Sequence, residues 1–354
     1  MTPRVTLPAI GVVGNDVPRQ LVLAAGALPV RLAGGWDGAV DDDAADLLGA
    51  ADLEAARILT ALRRGEFRID ALIVCNDSQA HLRLYYVLRA TPSGLRVHLL
   101  DLPREDSQPA RAFVQHQFAQ LLAFCEDVSG RTVDAESLAS AGRAERDLGR
   151  ALDRLRQRRR AVPSRCTGAD ALDAYLQAGR LDPAEAVRRI DATGCAEGSV
   201  APSAPGTRVH LTGSNHPDAS VYRRLEDAGY TIVSEDHDTG DGAWIGTAAD
   251  GADVTRVIDG LVQAHFGRTT NSATALAAER ARLTVTTASD AQADVVTAFI
   301  RELDDAPRWD LADQRVALAR EGLPLVAREH VPADPTVAVA ELADALRKRE
   351  VTVS

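Results

Sequence analysis

The sequence predicts an α/β protein in which two similar lobes, each with a Rossmann-like parallel sheet, flank a helical insertion. Two observations lead to this prediction. Strand and helix patterns alternate near both ends of the chain and match element by element, as expected of repeated βαβ units. Between them, from 109 to about 192, only helical periodicity remains. We therefore expect lobe one at 1–106, the helical region with its linker at 107–200, and lobe two at 201–354.

Lobe one begins with a strand at Ala9–Val13, a polar turn and a helix that extends to Ala25. Pro18 suits the first turn of that helix because its fixed φ is already helical. A second strand is expected at 27–32. One continuous helix is then expected over 46–64, because its leucines, alanines and isoleucine fall on a single face.

The stretch 69–103 has the pattern strand, polar loop, helix, strand, which makes a βαβ unit. The apolar run 71–74 ends in small polar residues, and a second apolar run at 97–100 closes the unit. The loop after the first strand of such a unit lies at the carboxyl edge of a parallel sheet, where open α/β proteins bind ligands. Residues 75–81 are therefore the first place to look for function.

The helical region predicts four helices, at 113–124, 138–155, 169–177 and 183–190, the first of them ended by Gly130. Five arginines lie near the end of the second helix, at positions 154, 156, 158, 159 and 160. We expect them to form a solvated helix end, where cations interact favourably with the helix dipole. A patch that binds the phosphates of CoA is the alternative.

A turn-rich linker at 194–206 leads to lobe two, where the opening pattern returns with strands at 209–212 and 230–234 around a helix at 219–227. Further along, 293–296 resembles 70–73 and 322–326 resembles 94–98. Since the strand-end loops of the two lobes would face each other, the functional cleft is expected between the lobes.

Composition excludes several classes of protein. The formal net charge of −11 argues against nucleic acid or an anionic membrane surface as a partner. No apolar run is long enough to span a bilayer and the N-terminus lacks a signal pattern, so the cytoplasm is expected. Four cysteines without a CxxC pair make a disulfide framework unexpected. Lys348 is the single lysine, which excludes a P-loop or Schiff-base lysine.

Two familiar enzyme motifs are missing from the loops. The sequence GVVGND at 11–16 lacks the spacing and the third glycine of a dinucleotide-binding loop. Residues 213–215 are not part of a GxSxG nucleophile elbow. An NAD enzyme or a serine hydrolase is therefore not expected.

Three segments, 11–34, 69–103 and 210–240, resemble the 2-hydroxyacyl-CoA dehydratase and benzoyl-CoA reductase subunit family in order and spacing. The resemblance extends over most of the chain. It implies that cysteines in the facing loops would bind an iron–sulfur cluster, which takes one electron from an ATP-dependent activator. It also implies a heterodimer of two similar subunits.

The cysteines that this resemblance implies are missing. The matching positions fall near 49–52, at Ser78, and near Leu303 or Asp304, and the loop at 235–240 also has no cysteine. Oxygen ligands suit a low-potential cluster poorly. Cys75 could be a displaced ligand, but three further thiolates would have to converge with it, so a buried strand-end thiol is expected. We expect no metal or cofactor in this chain, and a [4Fe–4S] cluster only in a paralogous partner.

The polar strand-end loops supply the candidate site. His81, Asp236 and His237 are candidates for general acid–base catalysis, and a divalent-metal site at 235–238 with His216 is an alternative. The candidates for substrate binding are Asn15, Asn76, Asp77, Ser78 and His216. Roles as turn formers and helix caps are the alternative for all of these residues.

The resemblance implies a cluster-less subunit of a heteromeric lyase, in which this chain contributes the interface and part of an acyl-CoA pocket. A cysteine-bearing paralogous subunit would carry out the redox chemistry, and an ATP-dependent activator would be a further partner. The alternative is a stand-alone two-lobed protein that binds a small acid or thioester, or performs non-redox acid–base chemistry. An assembly factor without a site is a third interpretation.

Overall fold

The computed structural model of the chain describes residues 7–91, 94–193, 206–268 and 274–353. Lobe one contains β1 (Ala9–Val13), α1 (Arg19–Ala24), β2 (Leu28–Arg31), α2 (Asp42–Leu48), α3 (Leu53–Arg63), β3 (Ala71–Cys75), α4 (Gln79–Ala90) and β4 (Arg96–Leu100). The helical region contains α5 (Gln108–Ser129), α6 (Ala135–Arg160), α7 (Gly168–Ala178) and α8 (Pro183–Ala192).

Lobe two contains β5 (Arg208–Gly213), α9 (Ser220–Asp227), β6 (Thr231–Glu235), α10 (Val254–Gly267), α11 (Ala277–Asp290), β7 (Val295–Arg301), α12 (Ala306–Arg320), β8 (Leu325–Val331) and α13 (Thr336–Val353). The predicted fold class is confirmed, because two four-stranded parallel sheets lie on either side of a helical region. The described part of the chain contains no helix with the length and apolar character of a membrane span.

The two sheets have the same strand order. Lobe one is ordered β2-β1-β3-β4 and lobe two β6-β5-β7-β8. In each sheet the two central strands are the first and third strands of the lobe. The chain continues from the first central strand toward one edge of the sheet and from the other central strand toward the opposite edge, so the strand order reverses between them. Open α/β sheets bind ligands at the carboxyl end of such a reversal. In lobe one this edge lies after Val13 and Cys75, and in lobe two after Gly213 and Arg301.

The single helix predicted over 46–64 is wrong, because two helices occupy this stretch. Gly49 has φ +63° and ψ −151° at the end of α2, a backbone conformation that glycine adopts readily and that does not continue a helix. Asp52 then caps α3 by accepting a hydrogen bond from the backbone N–H of Glu54 at 3.2 Å. The apolar pattern continued through the break and concealed it. The break brings Asp52 and Glu54 to the edge that faces lobe two.

The prediction of a solvated arginine end on α6 holds for Arg154, whose side chain is 47% exposed, but it is wrong for Arg159 and incomplete for Arg156 and Arg160, which are ion-paired. Arg159 is completely buried, with ion pairs to Glu235 at 2.5 Å and to Asp241 at 2.8 Å. Arg156 and Arg160 pair with the same Asp241 at 3.2 and 2.9 Å. These arginines are neither solvated nor available to a phosphate, because carboxylates about 80 residues further along the chain neutralise them.

The hydrophobic cores do not follow the order of the chain. Val257, Ile258 and Leu261 of α10 belong to the same buried cluster as Ile10 of β1 and Phe118 of α5. In the other direction, Trp36 of lobe one lies in the buried cluster of lobe two, with its ring centroid 6.0 Å from that of Phe299. The domain limits stay a prediction, and most of the predicted linker, 194–205, lies outside the described residues.

Candidate functional site

A cavity of about 70 Å³ lies between the lobes, at the carboxyl edges of both sheets. From lobe one it is lined by residues of the α2–α3 break and of the loop after β3. From lobe two it is lined by the loops after β5, β6 and β7. Its polar lining residues are Asp52, Glu54, Asp77, Ser78, His81, Ser214, Asn215, His237, Asp238, Arg301 and Asp304. The cleft predicted between facing strand-end loops is therefore present.

Residues from the three stretches where the family resemblance implied cluster cysteines, 49–52, 78 and 303–304, line this cavity. Asp52, Ser78 and Asp304 come from distant parts of the chain, and all three line it. Arg301, the last residue of β7, lies among the acidic groups. Its Nη2 is 2.6 Å from Asp52 Oδ2, 3.2 Å from Glu54 Oε2 and 3.6 Å from Asp304 Oδ2. Its Nε also donates to Asp52 Oδ1 at 3.1 Å, which makes a bidentate pair.

Burial sets the protonation of these carboxyl groups. It raises the pKa of Asp304 to about 6, since the loss of solvent outweighs the attraction of Arg301. Burial likewise raises the pKa of Glu54. Asp52 behaves differently, because its bidentate contact with Arg301 overcomes the burial and lowers its pKa. The cavity therefore combines a firmly ionised carboxylate with two that take up protons more readily.

On the lobe-one side, His81 and Asp77 form a second charged pair. Nδ1 of His81 is 2.7 Å from Asp77 Oδ1. Burial alone would lower the pKa of His81, but the charge of Asp77 raises it to about 9, so the ring is an imidazolium at neutral pH. Asp77 also accepts a hydrogen bond from the backbone N–H of Asn15 at 2.7 Å. Ser78 caps α4 by accepting from the N–H of Ala80 at 3.1 Å.

His237 and Asp236, although adjacent in sequence, lie in different surroundings. His237 lines the cavity, and its Nε2 is 2.7 Å from the hydroxyl of Tyr222. Burial lowers its pKa, so the ring is neutral at pH 7. Asp236 does not line the cavity. Arg280 and the hydroxyl of Thr284 lie 2.9 and 2.5 Å from its carboxylate, which makes it part of the lobe-two interior.

The predicted substrate-binding residues separate into two groups. Asp77 and Ser78 line the cavity, whereas Asn15, Asn76 and His216 do not. Asn15 accepts a hydrogen bond from the backbone N–H of Trp244 at 2.9 Å. Asn76 accepts one from the backbone N–H of Leu102 at 3.1 Å. His216 is fully buried and stacks on Phe299, and this burial lowers its pKa far below 6.5.

Sequence reasoning missed Glu54 and Arg301 as lining residues, and it considered Asp238 only as part of the alternative metal site at 235–238. Arg301 had a detectable signal, because an arginine that directly follows a fully apolar strand lies at the ligand-binding edge of a parallel sheet. Glu54 was hidden by the helix predicted over 46–64. Asp238 Oδ2 pairs with Arg31 at 3.0 Å, while its buried Oδ1 has no hydrogen-bond partner among the described residues.

The cavity does not suit an iron–sulfur cluster. Among the described residues its lining donors are oxygen and nitrogen atoms, and no thiol lines it. Cys75 is buried at the end of β3, and burial raises the pKa of its thiol well above the usual value. Burial also raises the pKa of Cys125 to about 12 and that of Cys166 to about 11. Cys195 lies outside the described residues.

A simple metal site is not formed either, because the described residues contain no group of three or more histidine, cysteine or acidic side chains placed to bind a metal ion. What the cavity offers is proton transfer and hydrogen bonding. His81 supplies a charged donor, Asp304 a carboxyl group whose pKa is near 6, and His237 a neutral ring. Groups with such separated pKa values can act as acid and base near neutral pH.

Comparison with known proteins gives the family. The model of the family described as 2-hydroxyglutaryl-CoA dehydratase, D-component, matches residues 15–335. No curated protein matches the chain. The matched range includes every strand except β1, the helical region and every residue that lines the cavity. The chain belongs to the 2-hydroxyglutaryl-CoA dehydratase D-component family.

Proposed function

We propose that this chain is a subunit without an iron–sulfur cluster in a heteromeric complex of the 2-hydroxyacyl-CoA dehydratase type. The observation that carries the proposal is the convergence of Asp52, Ser78 and Asp304 on one cavity, with Arg301 ion-paired among the carboxylates. A guanidinium that neutralises oxygen ligands takes the position expected for the cluster. In this proposal, a cysteine-bearing paralogous partner binds the [4Fe–4S] cluster and receives its electron from an ATP-dependent activator.

The reaction in the partner would be the reductive, radical removal of water from a 2-hydroxyacyl-CoA. This chain would supply the interface and a wall of the acyl-CoA pocket. The charge of the cavity limits which part of the acyl-CoA ligand this wall can contact. The lining of the cavity includes five carboxyl groups and two cationic side chains, Arg301 and His81. The carboxyl groups are those of Asp52, Glu54, Asp77, Asp238 and Asp304. Because such a surface repels phosphate, the acyl end of the ligand would approach this cavity and the CoA phosphates would bind elsewhere.

The decisive experiment is an anaerobic affinity purification of the tagged chain from its own cells, followed by separation of the subunits and iron analysis. We expect a related cysteine-bearing chain to co-purify, with iron and sulfide in that partner and a colourless, iron-free tagged chain. About four irons per tagged chain after separation would contradict the proposal. A strictly monomeric chain in the native extract would contradict the subunit role.

A second candidate function is non-redox acid–base chemistry by the isolated chain. The observation in its favour is that His81, with a pKa of about 9, and Asp304, with a pKa of about 6, line the same cavity. The test is hydration or hydrolysis of acyl thioesters by the isolated protein across the pH range. Activity that His81→Gln abolishes and the exposed control His116→Gln retains would support this function. Equal rates for the protein and both variants would reject it.

A further inference from the structure

A second cavity, of about 30 Å³, is lined by Arg31, whose ion-pair partner Asp238 lines the first one. Its walls come from β1, β2 and the loop between β1 and α1, and from Trp244 and Ile245 after β6. The surface is mostly apolar, with Val12, Val17 and Pro29 among the lining residues. Asn15, which the sequence analysis named as a candidate for substrate binding, is among its lining residues. The sequence did not predict the cavity itself, and the cavity is independent of the function proposed above.

Two buried hydrogen-bond donors, each on a residue that lines this cavity, have no partner among the described residues. They are Nη2 of Arg19 and Nε1 of Trp244. The side chain of Arg19 is 6% exposed and Trp244 is 7% exposed. Burying a donor without a partner is unfavourable. Arginine and tryptophan side chains can only donate, so the missing partner is an acceptor.

The charges around the cavity are already balanced. Nε of Arg19 pairs with Glu145 at 3.0 Å, and Nη2 of Arg31 pairs with Asp238 at 3.0 Å. An added anion would therefore be a buried charge without an opposite charge, which is costly in an apolar site. The acceptor that fits these surroundings is neutral.

The volume limits the size of the ligand. One water molecule needs a cavity volume of about 10–15 Å³. A cavity of about 30 Å³ therefore accommodates a molecule of only a few heavy atoms. We propose that this cavity binds a small neutral carbonyl compound, whose oxygen accepts hydrogen bonds from Arg19 and Trp244 and whose carbon atoms contact the apolar walls. Acetone is the simplest probe with these properties.

The three tryptophans of the chain give the experiment a direct readout. In the ¹⁵N-labelled full-length protein, each indole N–H gives one NMR signal, and Trp→Phe variants assign the three signals. We expect acetone to shift the Trp244 signal saturably at millimolar concentrations, while the signal of Trp309, which is 80% exposed, shifts little and linearly. A Trp244 signal without a saturable shift would mean that water alone occupies the cavity, and it would overturn the proposal.

Two further measurements test the site and the ligand class. Gly179 lines the cavity, and a Cβ added there would lie 3.3 Å from Arg31 Cβ and 3.8 Å from Ile245 Cδ1. We expect Gly179→Ala to fold and to weaken acetone binding several-fold, whereas Gly267→Ala, with nothing within 4 Å, leaves it unchanged. Equal binding in both variants would place acetone elsewhere. We expect acetate, which has a similar shape and a charge, to bind at least tenfold more weakly, and tighter acetate binding would overturn the neutral class.

Discussion

Arg301 is the residue on which the charge balance of the inter-lobe cavity depends. It is 5% exposed, and it contacts Asp52 and Glu54 of lobe one as well as Asp304 and Asn215 of its own lobe. Removing one partner of a buried ion pair leaves the other charges without compensation. Arg301 therefore joins the lobes electrostatically.

Replacing Arg301 by methionine should lower the free energy of unfolding by about 3–5 kcal/mol, measured by urea denaturation at pH 7.5. Part of the loss should be recovered as the pH falls, because burial raises the pKa of Asp304 and removing the attraction of Arg301 raises it further, so that this carboxyl becomes neutral. The control is Arg308→Met, at a side chain that is 40% exposed, where we expect little change. A loss of under about 1 kcal/mol in the Arg301 variant would show that the pairs contribute no more than surface pairs do.

His81 gives a pH-dependent prediction. Its pKa is raised from 6.5 to about 9, so folding favours the protonated ring, by roughly 3 kcal/mol at 1.36 kcal/mol per pKa unit. This contribution is complete below pH 6.5 and is lost as the pH rises through about 9. We expect the stability difference between the wild type and His81→Gln to shrink over that interval. An NMR titration of the His81 ring with a midpoint at or below 6.5 would contradict the prediction.

At the residue scale, sequence alone predicted part of the site. Asp77, Ser78, His81 and His237 were expected in strand-end loops, and all four line the cavity. Asp236 was expected beside His237 but lies in the lobe-two interior, because successive residues at a strand end can project to opposite sides. Which of two neighbours faces a cleft depends on the packing of α11, and the local sequence does not contain that information.

At the scale of elements, the C-terminal end of α6 decides how the helical region packs against lobe two. The C-terminal arginines pair with Glu235, the last residue of β6, and with Asp241 in the loop after it. The helix is also close to lobe two along its length, since a Cβ on Gly149 would lie 2.6 Å from the carbonyl oxygen of Gly246. The helical region therefore packs directly against lobe two and does not form a separate layer.

The variant Arg159→Met should lose about 3–5 kcal/mol of stability, because Glu235 would remain buried and charged without its partner. Arg150→Met is the matched control on the same helix, since that side chain is 63% exposed. Chemical denaturation of both variants gives the comparison. A similar, small effect for both would mean that the end of α6 is solvated, as its sequence had indicated.

The existence of the strands followed from the sequence, but helices α10, α11 and α12 were not predicted, and element boundaries and packing partners were predicted less well. Every strand of the two sheets was expected, since short apolar runs bounded by glycine and polar residues are a strong local signal. The break between α2 and α3 was missed because Gly49 and Asp52 did not interrupt the apolar periodicity. The ion pairs of α6 were missed because they depend on contacts between residues far apart in the chain.

For the whole molecule, the interleaved cores predict that the chain unfolds as one unit. Helix α10 completes the core that contains β1 and α5, and Trp36 packs into the core of lobe two. We expect a single calorimetric transition whose van't Hoff and calorimetric enthalpies agree. The isolated segment 201–354 should not fold cooperatively, because the apolar side of α10 would lose its partners. Two resolved transitions, or a stable isolated segment, would contradict this prediction.

The packing of α10 has a consequence for how the protein is made. Chains emerge from the ribosome N-terminus first, at about 5–20 residues per second. Leu261 follows Ala141 by about 120 residues, yet both belong to the same buried cluster. The nascent lobe one therefore waits about 6–24 s with an apolar surface uncovered. During that interval it is a substrate for chaperones, and translation speed across the helical region influences how much of the protein reaches its native state.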